Sequence, residues 1–257
     1  MDYLYDKVEL YDKLKEIVQG KSQTEPITNI QKGLADIEHH MLHFLDNHDE
    51  QRLASPEFAG SAENGKPLMV VSATISTSPT MIYFGQEVGE VGNENGGFGS
   101  HSRTSIFDYV GVPNHQRWMN GGKFDGGQLS NSEKELRDFY KKLLNFSLKS
   151  SALMGEFQEI HSANATNKKG YLPEMYSFVR WSDTQKLIVI ANFSTSKASQ
   201  FELIIPKEII QQWHLKDGRY TIVDQMYQSK STLKVINGQG KAKIKMKPSE
   251  SFIYELE

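Results

Sequence analysis

The sequence contains no cysteine. That absence excludes disulfides, zinc–thiolate centres and thiol nucleophiles, and it leaves the compartment open. No apolar run approaches the roughly 20 residues a membrane helix needs, so no span is expected. Charge of one sign is also lacking: 29 basic residues stand against 32 acidic ones, for a net charge of -3. Such a balance gives no electrostatic case for nucleic acid or an anionic membrane surface. The N-terminus shows neither the basic start nor the apolar core of a signal peptide. Met1 runs directly into DYLYDKVELYDKLKEIV, with charges throughout, which reads as the interior of a domain.

What is present is a chain of 257 residues, long enough for a substantial core in one large domain or two ordinary ones. Leu10, Leu14, Ile17 and Val18 recur at i, i+4, i+7 and i+8, which predicts an amphipathic helix closed by Gly20 and preceded by a short strand. MLHFLDN (41–47) has the length of a strand, GKPLMVVSATISTSP (65–79) places Leu68, Val71 and Ile75 on one helical face, and TMIYFG (80–85) is a second compact apolar run. Strand alternating with helix argues for parallel βαβ units. Residues 86–130 are rich in Gly, Asn and aromatics, too long for an ordinary connection and a candidate wall of a site. Ser132 and Glu135 fit a capping box ahead of a helix whose apolar face is Leu136, Phe139, Tyr140, Leu143 and Leu144.

After about residue 155 the period changes to two, which marks a domain boundary near 150. MYSFVRW, KLIVIANF, QFELIIP, RYTIVDQ, TLKVIN, KAKIKMK and SFIYEL are strand-like runs separated by turn residues, with a hairpin turn at Ser182-Asp183-Thr184. The expected architecture is therefore α/β over 1–150 followed by an all-β antiparallel sandwich over 151–257.

The segment FLDNHD at 44–49, followed about thirty residues later by PTMIYFGQEVG at 79–89, resembles the last two sequence blocks of the α-amylase family of glycoside hydrolases. RTSIFDY, beginning at 103, and the terminal β-domain fit the same pattern. The resemblance covers essentially the whole chain. It implies a partial (β/α)8 TIM barrel, the sixth, seventh and eighth strands, followed by the family's antiparallel domain. In such a barrel the chemistry sits where the strands end, which accounts for an apolar strand running into Asn, His and Asp.

By this resemblance Asp49 is the carboxylate that hydrogen-bonds the hydroxyls of the sugar being cleaved and stabilises the transition state, and His48 donates to the same ring. Contacts that strengthen as the ring flattens toward an oxocarbenium ion lower the barrier. Taken alone, the two residues would read as a strand-end cap and a surface histidine. Asn47 is expected to hold the turn, and Arg52 either to steer Asp49 or to bridge to a neighbour; both are candidate substrate-binding residues. Phe107, Tyr109, Trp118 and Phe124 are either stacking platforms along a glucan groove or aromatics pinning a long loop, with Trp118 the first choice and Tyr109 beside it. By the same resemblance Glu87 is a structural residue or one at the outer margin of the site, and His39, His40 and His43 read as structural histidines at the far end of the barrel, so no metal is assigned. Trp181, Phe193 and Tyr254 are expected in the core of the β-domain.

A retaining enzyme of this kind needs a nucleophile and a general acid about 5 Å apart. In the family both come from the fourth and fifth strands, and no residue here maps to either. A full barrel takes about 250 residues. The resemblance therefore implies the C-terminal part of a longer enzyme acting on α-1,4-linked glucans, inactive by itself. Calcium would belong to the full-length enzyme, largely on an excursion absent here, and a polymeric substrate implies secretion or a periplasmic location. The β-domain is expected to fold alone, with the open barrel edge a route to self-association. The rival readings are a non-enzymatic relative that binds glucan or assembles partners, and an α-glucan glucosyltransferase.

Overall fold

The computed structural model describes residues 2–34, 36–92, 102–104, 112–166 and 169–257. Strands β1 (Leu4–Tyr5), β2 (Met41–Phe44) and β3 (Thr80–Met81) form a parallel sheet in that order. Leu4 lies opposite Met41, and His43 opposite Thr80. Parallel neighbours require long crossovers, and these are helical. A π-turn at Lys7–Tyr11, helix α1 (Asp12–Val18) and helix α2 (Glu25–Gly33) join β1 to β2, and α3 (Ala62–Thr74) joins β2 to β3. Leu10, Leu14 and Ile17 are buried, as their spacing requires. Among the described residues no further strand pairs with β1 or β3.

Both later strands stop earlier than their apolar runs. Pairing ends at Phe44 because Asp46 and Asn47 turn their side chains onto backbone N–H groups of the following loop. It ends at Met81 ahead of a 3-10 turn, Gln86–Val88, entered through Gly85 in the left-handed region (φ 85°). Helices α4 (Pro113–Met119) and α5 (Asn131–Lys149) follow. The capping box of α5 is Ser130 with Glu133, not Ser132 with Glu135. The spacing is the same, but Ser130 has the extended backbone a cap needs and accepts from the Glu133 N–H, while Glu133 accepts from the Ser130 N–H at 2.7 Å.

The second part is one eight-stranded antiparallel sheet. Its strands are β4 (Glu156–Glu159), β5 (Met175–Trp181), β6 (Lys186–Asn192), β7 (Ser199–Ile205), β8 (Gly218–Asp224), β9 (Lys230–Ile236), β10 (Gln239–Met246) and β11 (Ser251–Leu256), ordered β4-β5-β6-β11-β8-β9-β10-β7. Helices α6 (His161–Ala165) and α7 (Lys207–Gln212) interrupt the strand sequence. The seven runs of period two all form strands, and the Ser182 turn is closed by its N–H on the Gln185 carbonyl at 2.9 Å. Edge strand β7 is covered by Asn164 of α6, whose amide exchanges two hydrogen bonds with the Ile204 backbone, at 2.9 and 2.7 Å. A buried side chain thus takes the place of a further strand along that edge.

Alternation along the central strands divides the core in two. Met175, Val179, Ile188, Ile190, Phe252 and Tyr254 join a cluster confined to residues after 150. Tyr176, Phe178, Leu187, Val189, Ala191 and Ile253, on the opposite face, share one cluster with Leu14, Phe44, Leu68, Val71 and Phe139 of the first part. The two parts therefore have a common core, each buried large apolar side chain contributing about 1.5–3 kcal/mol. Arg180 reinforces the junction: Nη1 donates to the Ile75 carbonyl at 2.7 Å, and Nη2 to the Leu153 and Gly155 carbonyls at 2.6 and 3.1 Å. Phe193 and Tyr254 are buried, as expected, and Trp181 packs half-buried against the second cluster.

Candidate functional site

The loop after β2 uses most of its polar side chains to hold itself. Asn47 is buried, and its Oδ1 accepts from the N–H groups of Asp49 and Glu50, both at 2.8 Å, so it shapes the turn as its position suggests. Glu50 is tied to Lys7 Nζ (3.5 Å) and to the Tyr11 hydroxyl (3.4 Å), and Gln51 accepts from Lys15 at 2.7 Å.

Beneath them lies Asp46, 1 % exposed, which accepts from the Leu53 N–H and pairs with Arg52 at 3.2 Å. Arg52 is 0 % exposed. Its Nη1 also donates to the Phe84 carbonyl (2.7 Å), its Nε to Thr104 Oγ1 (2.8 Å), and its guanidinium lies over the rings of Tyr83 and Phe84 at 4.5 and 4.9 Å. Arg52 thus ties the loop after β2 to the end of the third apolar run and to residues 102–104. Burial pushes the Asp46 carboxyl up to about 6 against the opposing pull of Arg52 and the Leu53 N–H.

His48 and Asp49 are left at the top of this platform. Their side chains are 43 % and 61 % exposed, with Nε2 and Oδ2 3.3 Å apart. Arg103 approaches Asp49 from the far side at 3.5 Å. The arrangement offers a hydrogen-bond donor and a carboxylate acceptor side by side at the end of a parallel strand, on a rigid base. The larger cavities among the described residues are lined by other side chains.

Of the expected site residues, the structure brings together Asn47, His48 and Asp49. Of the two readings of Arg52 the structure shows the bridge to a neighbour: it is sealed under the loop, bonded to Asp46 and 0 % exposed, which leaves it no surface for the substrate contact also expected of it. Trp118 lies on α4, half-buried, stacked on His115 (5.5 Å) with Arg137 over its ring and Phe124 beside it at 5.8 Å. Through His115 it connects to Phe84, over which the Arg52 guanidinium lies, so it belongs to a row of rings that leads back to Arg52. Tyr109 and Phe107 lie outside the described residues. His43 is buried in β2, its Nδ1 on the Ser72 carbonyl at 2.9 Å and its Nε2 3.5 Å from Asp6, while the rings of His39 and His40 lie 4.0 Å apart, tilted at 44°. The described residues bring no three metal-ligating side chains together.

Sequence reading missed Asp46, Arg103 and Glu90. Glu90 is fully buried and caps α4, Oε2 accepting from the Asn114 N–H at 2.9 Å. An acid placed directly after the apolar pair Phe44-Leu45 was the available signal for the first. No local signal marks Arg103.

No protein-family model matches the chain, and no curated protein matches it in sequence. Solved structures do match in fold. An Anoxybacillus α-amylase superposes over 100% of this chain and 47% of its own, with TM-score 0.67 and 18% identity. A variant of AmyP solved with maltotriose covers 100% of this chain and 50% of its own, with TM-score 0.67 and 17% identity. The cyclomaltodextrin glucanotransferase CldA covers 96% and 43%, with TM-score 0.63 and 14% identity. The chain spans about half the length of these relatives. Its architecture is that of one half of α-amylase-type glycoside hydrolases, with the antiparallel domain that closes them.

Proposed function

We propose that this chain carries the sugar-contacting part of an α-amylase-type glycoside hydrolase that acts on α-1,4-linked glucans by a retaining mechanism. The observation that supports it most is the His48–Asp49 pair, exposed at the end of a parallel strand in an amylase-like fold while the rest of its loop is consumed internally. In this reading Asp49 accepts from two hydroxyls of the ring under attack and His48 donates to the same ring. Asn47, Asp46 and Arg52 hold the two in place. Charge-assisted bonds of this kind are the strong ones, and they gain as positive charge develops on the ring.

Nucleophile and general acid, the pair set about 5 Å apart in retaining enzymes, come in this reading from strands beyond β1. A transferase shares all these contacts and differs in the acceptor, and the CldA fold supports it as a second reading. The test is release of reducing sugar from soluble starch. The purified chain should release none above a His48→Ala control, and release above that control overturns the division of labour.

A further inference from the structure

The net charge of -3 hides an uneven distribution. Residues 216–247 hold eight of the 29 basic residues and two of the 32 acidic ones, which puts this segment at +6 and the remainder of the chain at -9. Of the two acids, Asp224 is buried, and Asp217 accepts from the Asn237 and Gly238 N–H groups at 2.8 and 3.0 Å. Strand pairing gathers the cations on one face. Arg219 of β8 lies opposite Lys234 of β9, which lies opposite Lys241 of β10. Lys230 on β9, and Lys243 and Lys245 on β10, stand at even spacing from these and share the face. It is the outward one, since Leu233, Val235, Ala242 and Ile244, which alternate with them, point into the core.

Like charges set directly opposite each other destabilise a sheet, so this face calls for a countercharge. Among the described residues of β7 to β10 the only acid on it is Glu202, which pairs with Lys241 at 3.1 Å. The shape of the charge indicates what supplies the rest. It spreads about 10 Å across three strands and about 13 Å along β10, a plane and not a thread. Five of the six cations are lysines, point charges on flexible stems, where a single phosphate or carboxylate would be gripped by the fork of arginine. Among the described residues no aromatic side chain stands on this face of β7 to β10 to stack a base or anchor a protein partner. Ile236, 55 % exposed, continues the β9 row beside Lys234 and Lys241. Positive charge in a plane with an apolar side chain at its margin matches negative charge in a plane over hydrocarbon.

We propose that the outer face of β8, β9 and β10 docks the chain on an anionic lipid surface, with these cations over the headgroups and Ile236 entering the acyl boundary. The balance of the whole chain, which argued against such a surface, averages this face with an acidic remainder. The docking involves neither His48 nor Asp49 and does not rest on the proposed function.

The test is sedimentation of the chain with vesicles of equimolar phosphatidylserine and phosphatidylcholine, against vesicles of phosphatidylcholine alone. Wild type is compared with Lys234→Gln/Lys243→Gln/Lys245→Gln and with Lys141→Gln/Lys142→Gln/Lys149→Gln, which removes the same charge from α5. These lysines are exposed, so both variants should fold. Wild type and the α5 variant should bind the anionic vesicles and not the neutral ones. The sheet variant should bind about fivefold more weakly for each lysine removed, and added salt should weaken the wild type. Absence of binding to the anionic vesicles, equal binding to the neutral ones, or equal weakening in the two variants would overturn the proposal. Tighter binding to single-stranded DNA than to the anionic vesicles would overturn the choice of a lipid surface.

Discussion

Arg52 pairs with Asp46, not with Asp49: Nη1 stands 3.2 Å from Asp46 Oδ2, with 0 % and 1 % of the two side chains exposed. The pair sits under the loop that presents His48 and Asp49, and it joins that loop to the Phe84 carbonyl and to Thr104. What the exposed pair can do depends on this buried one keeping it in register.

Arg52→Met should therefore be costly. Removing one partner leaves a buried carboxylate uncompensated, at about 3–5 kcal/mol. Urea unfolding should show that loss, and Asp46→Asn combined with Arg52→Met should recover part of it. Equal losses in the single and double variants would deny the coupling.

Asp46 also sets a pH dependence. An unfolded Asp titrates near about 3.9, whereas burial raises this one to about 6 in the folded chain. The folded state binds this proton at the higher pH, so the group's contribution to stability is full below about 4 and is lost as pH rises through about 6. Carbon-13 NMR of the Asp46 carboxyl should give a midpoint near 6, moved upward in Arg52→Met as the opposing charge goes. A midpoint at the ordinary Asp value would contradict this.

The division at residue 150 marks a change of period, not an energetic seam. Tyr176, Phe178, Leu187, Val189 and Ile253 face a core shared with Phe44, Leu68 and Phe139. Residues 151–257 produced alone would expose that face, contrary to the expectation that the β-domain folds by itself. The fragment should bind a hydrophobic dye and aggregate, while the whole chain unfolds in one transition. A monomeric, dye-negative fragment with the stability of the parent would show that the shared core contributes little.

Much of this was legible in sequence because local pattern and tertiary demand agreed. Strands β7, β9 and β10 alternate buried and less buried residues, β5, β6 and β11 are short apolar runs bounded by turns, and Leu10, Leu14 and Ile17 leave no choice of buried face. Strand β4 was missed because EFQE carries one apolar residue and owes its place to pairing with β5. Helix α4, PNHQRWM, has no apolar period, and its start is fixed by Glu90 from outside the helix. At the site, FLDNHD identified the exposed pair, but Arg52 had two acids within its reach, and only burial, invisible in one dimension, assigns it to Asp46. The capping box slipped by two residues for a related reason: two Ser-x-x-Glu spacings overlap, and backbone geometry selects one.

The decisive question is whether a glucose ring rests against His48 and Asp49. Maltotriose should be titrated into the isotopically labelled chain while the His48 imidazole signals are followed, in the wild type and in Asp49→Ala, whose exposed side chain can be lost without unfolding the loop. Saturable movement of those signals in the wild type and its loss in the variant is the result expected. Signals that stay fixed at every sugar concentration, or that move equally in Asp49→Ala, would mean that the pair is a surface cap and that glucan recognition resides elsewhere.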